Sequence, residues 1–391
     1  MIYLVLFFVL IAFYELQRRF MTDSDIDIFA SIVLLFYIVK VFLGSKSLTR
    51  QLLFVCSVPI ILLTFKLSYA EFFLSSLYFF FYCFRRKQNK QLFFIFICSC
   101  AIVVFWCIRN IIITGYLVYP FPAIDLFDFD WKMPISTVII QKTYIYEWAK
   151  HLFFNINPIF DLLAFKNPSE FRNSVFCYML ILSLLSVLLI SYHIVKKKIN
   201  KHVCAVYFAL YIGLIVALIL APDIRFLKGY IFCGLFIVCI YSLPAYMDKI
   251  RLPVKRIIVF LALILCLINE VNNLNVLKTT NPFLSCNERI LNILAHPMKP
   301  IYPVEYDDYN LNGTIVYITR DEENRTFDKF PSVYDKGLPF ESFRNNKIQD
   351  IRTIELRGAT FQDGFRTKPE YIEILDNNVE KTVLDLTSRY K

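Results

Sequence analysis

About nine apolar stretches, each near the length of a bilayer crossing, recur within the first 274 residues of this chain. No other feature limits its fold as tightly. A water-soluble fold could not hide so many, whereas a lipid-embedded helical bundle has no need to. Read against the basic loops between them, the spans fall near 1–16, 28–43, 51–66, 70–84, 92–108, 174–194, 203–220, 226–244 and 256–273. Composition agrees. Of 391 residues 57% are apolar and only 19% charged, against about 25% charged in soluble domains. The expected fold is an all-α polytopic membrane bundle, residues 1–274, followed by a small mixed or β-rich C-terminal domain, residues 275–391.

The formal charge of +10 would suggest nucleic acid if it were spread over a surface, but its placement excludes that partner. The excess lies before residue 275. It gathers in short loops: Lys46 and Arg50; Arg85, Arg86, Lys87 and Lys90; Lys196, Lys197, Lys198 and Lys201; Lys249, Arg251, Lys255 and Arg256. Asp248 alone opposes them. By the positive-inside rule these loops are cytoplasmic, which puts the long loop 109–173 and the C-terminal domain outside. The expected location is a bacterial cytoplasmic (inner) membrane.

Ten of the eleven cysteines lie in expected spans. The other, Cys286, cannot staple an external domain, and no Cys/His ligand spacing occurs, so neither a disulfide framework nor a zinc site is expected. The first apolar run begins at Met1 with no basic n-region, so it does not read as a signal peptide. Its shortness fits equally a first helix that borrows Glu15 to Gln17 and a chain that has lost an upstream part of its bundle.

Within the outer loop, Ile145, Trp148, Ala149 and Leu152 recur at helical spacing, with Lys142, Glu147, Lys150 and His151 between them and Pro134 in the first turn. This predicts an amphipathic helix, lying along the membrane interface or packed on the bundle. In the tail, Thr314–Ile318, Thr353–Arg357, Tyr371–Leu375 and Thr382–Leu386 are short β-prone stretches between Asp, Asn, Gly and Pro clusters.

Ionisable side chains at membrane depth are costly, so each is a candidate for function. Lys66, Glu71, Arg109, Asp223, Arg225, Lys228 and Glu270 all sit at expected outer ends of spans, where they serve either as interfacial anchors or as the wall of an external pocket. Arg109 and Asn110, followed by Gly115, Tyr116, Tyr119 and Pro120, mark a span running into a turn. A guanidinium held there can grip a lipid phosphate through two hydrogen bonds. Asp125, Asp128 and Asp130 beside Trp131 suit sugar hydroxyls and sugar faces. Asp23, Asp25 and Asp27, in the first outer loop, could hold a divalent cation or supply a general base, although acids before an apolar run also suit a helix N-terminus.

The run from Trp106 through Arg109-Asn110, Gly115-Tyr116, Tyr119-Pro120 and Asp130-Trp131-Lys132 resembles an uncharacterised family of large bacterial multi-span proteins encoded among surface-polysaccharide genes. Ala221-Pro222-Asp223 with Arg225-Phe226, and Leu356-Arg357-Gly358 with Asp363-Gly364-Phe365-Arg366, are similar to the same family. The first motif is in turn similar to the Arg-Asn, Gly and Tyr-Pro turn of GT-C glycosyltransferases. That resemblance implies a polyprenyl-phosphate sugar donor and a glycan or lipid acceptor. The donor phosphate would be held by Arg109, Arg225 and Lys66, with a catalytic base among Asp23, Asp25 and Asp27. Alternatives left open are a lipid-linked oligosaccharide polymerase or ligase, a non-catalytic membrane protein, and a truncated fragment of the family. A transporter is disfavoured, because no internal repeat and no paired Gly/Pro-broken spans are found.

Overall fold

The computed structural model describes residues 26–43, 51–154, 168–196, 199–220, 222–247, 305–319, 331–333 and 354–389, and Pro253, Phe260, Ile264 and Lys329 singly. Among the described residues eight helices precede the strands: α1 (Ile26–Leu43), α2 (Leu52–Phe65), α3 (Phe73–Arg85), α4 (Asn89–Thr114), α5 (Ile135–Phe154), α6 (Pro168–Val195), α7 (Lys201–Leu220) and α8 (Ile224–Met247). A 3-10 turn, Leu67–Phe72, leads into α3. Then come β1 (Tyr306–Leu311), β2 (Thr314–Thr319), β3 (Ser332–Val333), β4 (Ile354–Leu356), β5 (Phe365–Thr367) and a last helix, α9 (Pro369–Arg389).

Seven of the nine expected spans coincide with described helices, because a run of apolar residues without water must satisfy every backbone group within itself. The expected span 1–16 and, apart from Phe260 and Ile264, the expected span 256–273 lie outside the described residues, so a nine-span bundle is not established. Among the described residues four helices are long and apolar enough to cross a membrane: Leu67–Arg85, Asn89–Thr114, Cys177–Val195 and Lys201–Leu220. Phe29–Leu43, Leu52–Phe65 and Phe226–Tyr241 are apolar but shorter. The 26 residues of α4 span about 39 Å at a rise of 1.5 Å per residue, more than the roughly 30 Å hydrocarbon core.

Compact packing divides the chain into two units, Met1–Val104 with Leu152–Leu277, and Phe105–His151 with Lys278–Lys391. The segment expected as an outer loop thus groups with the C-terminal region. In the first unit, α1, α2, α3, α7 and α8 share one apolar core, built on residues such as Leu34, Tyr37, Val55, Phe72, Phe79, Leu210 and Phe236. Several polar side chains inside it are hydrogen-bonded, as a water-free interior favours. The Tyr37 hydroxyl donates to the Val55 carbonyl at 3.2 Å and shares a 3.2 Å hydrogen bond with Ser75, while Ser76 donates to the Cys56 carbonyl at 2.7 Å. Glycine lets aromatic rings approach backbone. A Cβ on Gly213 would stand 2.4 Å from the Tyr230 ring, and one on Gly229 would stand 2.6 Å from the Tyr69 hydroxyl.

In the second unit β1 and β2 form an antiparallel hairpin, with β3 parallel to β2, and β4 and β5 form a second antiparallel pair. Leu311, Val316 and Leu356 join the two sheets in one small core. The β expectation fails for Tyr371–Leu375 and Thr382–Leu386, which belong to α9. Leu375, Thr382 and Leu386 are buried, and with Val379 between them they follow a helical rather than a two-residue period. Pro369 starts that helix, where its missing N–H costs nothing. The amphipathic helix after Pro134 is present as α5. Its Ile140 and Tyr144 pack on Leu375, Val379, Val383 and Leu386 of α9. Glu147, expected on the polar face, is instead buried at 7% exposure.

Candidate functional site

In the first unit the ionisable residues gather around the 3-10 turn and the start of α8. Lys66, half-buried, places its ammonium 3.8 Å from the centre of the Phe226 ring, a contact whose strength rises as water is removed. One turn on, Glu71 accepts a 3.3 Å hydrogen bond from the Tyr230 hydroxyl, which also donates to the Ser68 carbonyl. The Tyr230 ring lies 5.3 Å from that of Tyr69, whose hydroxyl bonds Ser31 on α1. Asp223 is buried at 3% exposure, and its carbonyl accepts from the Phe226 and Leu227 amides, so it starts α8. Lys228 is fully buried. The side chain of Arg225 and all of Glu270 lie outside the described residues, as do Asp23 and Asp25; Asp27 is described only as backbone of α1. Tyr69 and Tyr230 were not anticipated, because a tyrosine in an apolar run carries no signal that its hydroxyl is used.

In the second unit Arg109 is exposed near the C-terminal end of α4. Its neighbour Asn110 turns inward at 7% exposure and donates to the Leu117 carbonyl at 3.3 Å. Thr114 donates back to the Asn110 carbonyl at 2.8 Å and accepts from the Tyr116 amide at 3.2 Å, closing the helix into the turn. Tyr116 donates to the Met133 carbonyl at 2.9 Å, and the Trp131 indole donates to the Ile111 carbonyl at 3.4 Å. The Arg-Asn, Gly and Tyr-Pro residues are thus one folded knot, with a cis peptide at Tyr119-Pro120. Tyr119 donates to Gln141 of α5, and burial pushes its phenol up to about 12.

The acidic and aromatic stretch is occupied by its own chain. Lys132 binds both oxygens of Asp125, at 2.6 and 2.7 Å. Arg357, from the turn after β4, binds both oxygens of Asp130 at 2.9 Å and places its guanidinium 4.4 Å from the Trp131 ring. The hydrogen bond and charge of Arg357 hold the Asp130 carboxyl below the usual range. Phe127, Phe129 and Trp131 stack in sequence, with centroids 5.3 and 4.3 Å apart. Asp128 is exposed. Asp363 accepts from the amide and hydroxyl of Thr360, at 2.8 and 2.9 Å, and these bonds hold its carboxyl low. Among the described residues no group of three His, Cys, Asp or Glu side chains converges to hold a metal ion.

Residues 1–232 match a family described as a domain of unknown function. No curated protein and no solved structure matches the chain.

Proposed function

We propose that this chain, which belongs to the family described as a domain of unknown function, DUF8201, is a membrane glycosyltransferase-like protein of the GT-C type. It uses a polyprenyl-phosphate-linked sugar for surface glycan assembly at a bacterial cytoplasmic membrane. The acceptor hydroxyl attacks the anomeric carbon, a carboxylate among Asp23, Asp25 and Asp27 takes its proton, and the polyprenyl phosphate leaves.

The reading rests on Arg109. On its helix Ile108, Ile112 and Ile113 are all exposed, at 45%, 66% and 58%, a surface that lipid covers without cost. A guanidinium in such a face belongs at headgroup depth, where its fork matches two phosphate oxygens and offsets the charge that develops as the phosphate departs. The knot made by Asn110, Thr114, Tyr116 and Trp131 holds the end of that helix in one geometry, the preorganisation such a contact needs.

Replacing Arg109 by Ala in the producing cell should abolish the surface glycan while protein level stays normal, with Arg109→Lys retaining part of it. An unchanged glycan in Arg109→Ala would sink the proposal. Asp23→Asn, Asp25→Asn and Asp27→Asn, tested singly, locate the base, and full activity in all three leaves a lipid-linked oligosaccharide polymerase or ligase as the better reading.

A further inference from the structure

Helices α3 and α4 meet at a turn of three residues, 86–88, in which Lys87 takes a φ of 55°. Arg85, Arg86, Lys87 and Lys90 are all exposed there. No acidic residue occurs between Glu71 and Asp125, and among the described residues none of the four cations has a carboxylate partner. Against this turn α3 and α4 enclose a groove of about 790 Å³ lined by Phe80, Phe81, Phe84, Leu92, Phe93 and Phe96, with Asn89 its one polar side chain. The cations and the groove share a wall, since the Arg85 guanidinium lies 5.9 Å from the centre of the Phe81 ring. A second apolar space of about 470 Å³ continues along the same helices, with Phe80 and Phe96 bordering both.

We propose that the basic turn and the paired apolar spaces form a binding site for an anionic glycerophospholipid. Its phosphate rests on Arg85, Arg86, Lys87 and Lys90, and its acyl chains occupy the two spaces. Hydrocarbon is what a phenylalanine-lined groove between membrane helices accepts, and a neutral lipid would leave four adjacent cations uncompensated. Two contiguous spaces select a two-chain lipid over a single-chain polyprenyl phosphate. The site does not depend on Arg109 or on the proposed transfer reaction.

The test uses the full chain purified in detergent, with lipid binding read by native mass spectrometry and by thermal shift. Dioleoylphosphatidylglycerol should bind, and each basic residue changed to Gln should weaken it about fivefold. Dioleoylphosphatidylcholine should bind at least about tenfold more weakly, and glycerol 1-phosphate without chains should not compete. Lys87→Gln with Lys90→Gln is the deciding variant, since both side chains are exposed and lie outside the core. Arg109→Ala should bind phosphatidylglycerol as the parent does, which separates this site from the proposed active site. Equal binding of phosphatidylcholine, unchanged binding by the paired Lys variant, or tighter binding of a polyprenyl phosphate would each overturn the assignment.

Discussion

Arg357 holds Asp130 in a two-pronged ion pair, Nε to one carboxylate oxygen and Nη2 to the other, both at 2.9 Å and across 227 residues of chain. The same guanidinium lies 4.4 Å from the Trp131 ring. A side chain that forks onto a carboxylate and stacks on an indole uses two properties of arginine that lysine lacks. Arg357→Lys should therefore loosen residues 125–133 nearly as much as Arg357→Ala, seen as faster amide hydrogen exchange in that segment. Asp130→Asn combined with Arg357→Ala should add little to either change alone. Parent-like exchange in Arg357→Lys would show that charge alone makes the contact.

The pH dependence of that pair follows from its sign. Because Arg357 depresses the Asp130 carboxyl, the contact is fully present above the ordinary aspartate value of about 3.9 and fades as pH falls through the lower value of the folded protein. Trp131 reports it. The fluorescence difference between the parent and Trp131→Phe should hold steady down to about pH 4 and change only below it. That change should vanish in Asp130→Asn, and a midpoint at or above 4 would contradict the pairing.

Gly115 makes the turn beneath Arg109 possible. Its φ is +79°, and a Cβ there would stand 2.8 Å from the Cα, Cβ and Cγ of Lys132. Gly115→Ala combines a left-handed conformation that costs roughly 1–2 kcal/mol for an L residue with a clash against backbone. The variant should lose stability by at least that much and separate Lys132 from Asp125, measured as a lower thermal midpoint and faster exchange over residues 114–133. An unaltered midpoint would mean that the turn has room to rearrange.

Helix α9 is held by few apolar contacts, so truncating one should release it. Leu386 is 1% exposed and packs with Ile140 and Leu375, whereas Leu384, two residues away, is 70% exposed. Leu386→Ala should cost about 2 kcal/mol or more, and Leu384→Ala within about 0.5 kcal/mol of nothing. Hydrogen exchange across residues 369–389 distinguishes them, and equal effects would rule out the packing of α9 on α5.

The apolar spans were legible because hydropathy over twenty residues is a local property, and the helices Lys201–Leu220 and Asn89–Thr114 stand where it placed them. The amphipathic helix after Pro134 was legible for the same reason, but not which face it buries. Its Glu147 is inward, while Ile140 meets a helix more than 220 residues further on. Tyr371–Leu375 and Thr382–Leu386 misled because five-residue windows cannot separate a strand from one face of a helix; only the full period through Leu375, Val379, Thr382 and Leu386 does. The Arg-Asn, Gly and Tyr-Pro residues were legible as a turn, yet the hydrogen bonds that knot them were not.

By itself the sequence determined the solvent of most of this chain, the positions of its apolar helices and the loops that carry its positive charge, since each depends on residues close together along the chain. Tertiary structure alone decided which charges meet. It brought Arg357 to Asp130 and Trp131, Lys66 to Phe226 and Tyr230 to Glu71. Such pairs form between elements far apart in sequence, and their energy depends on distance and burial, which no spacing of letters encodes.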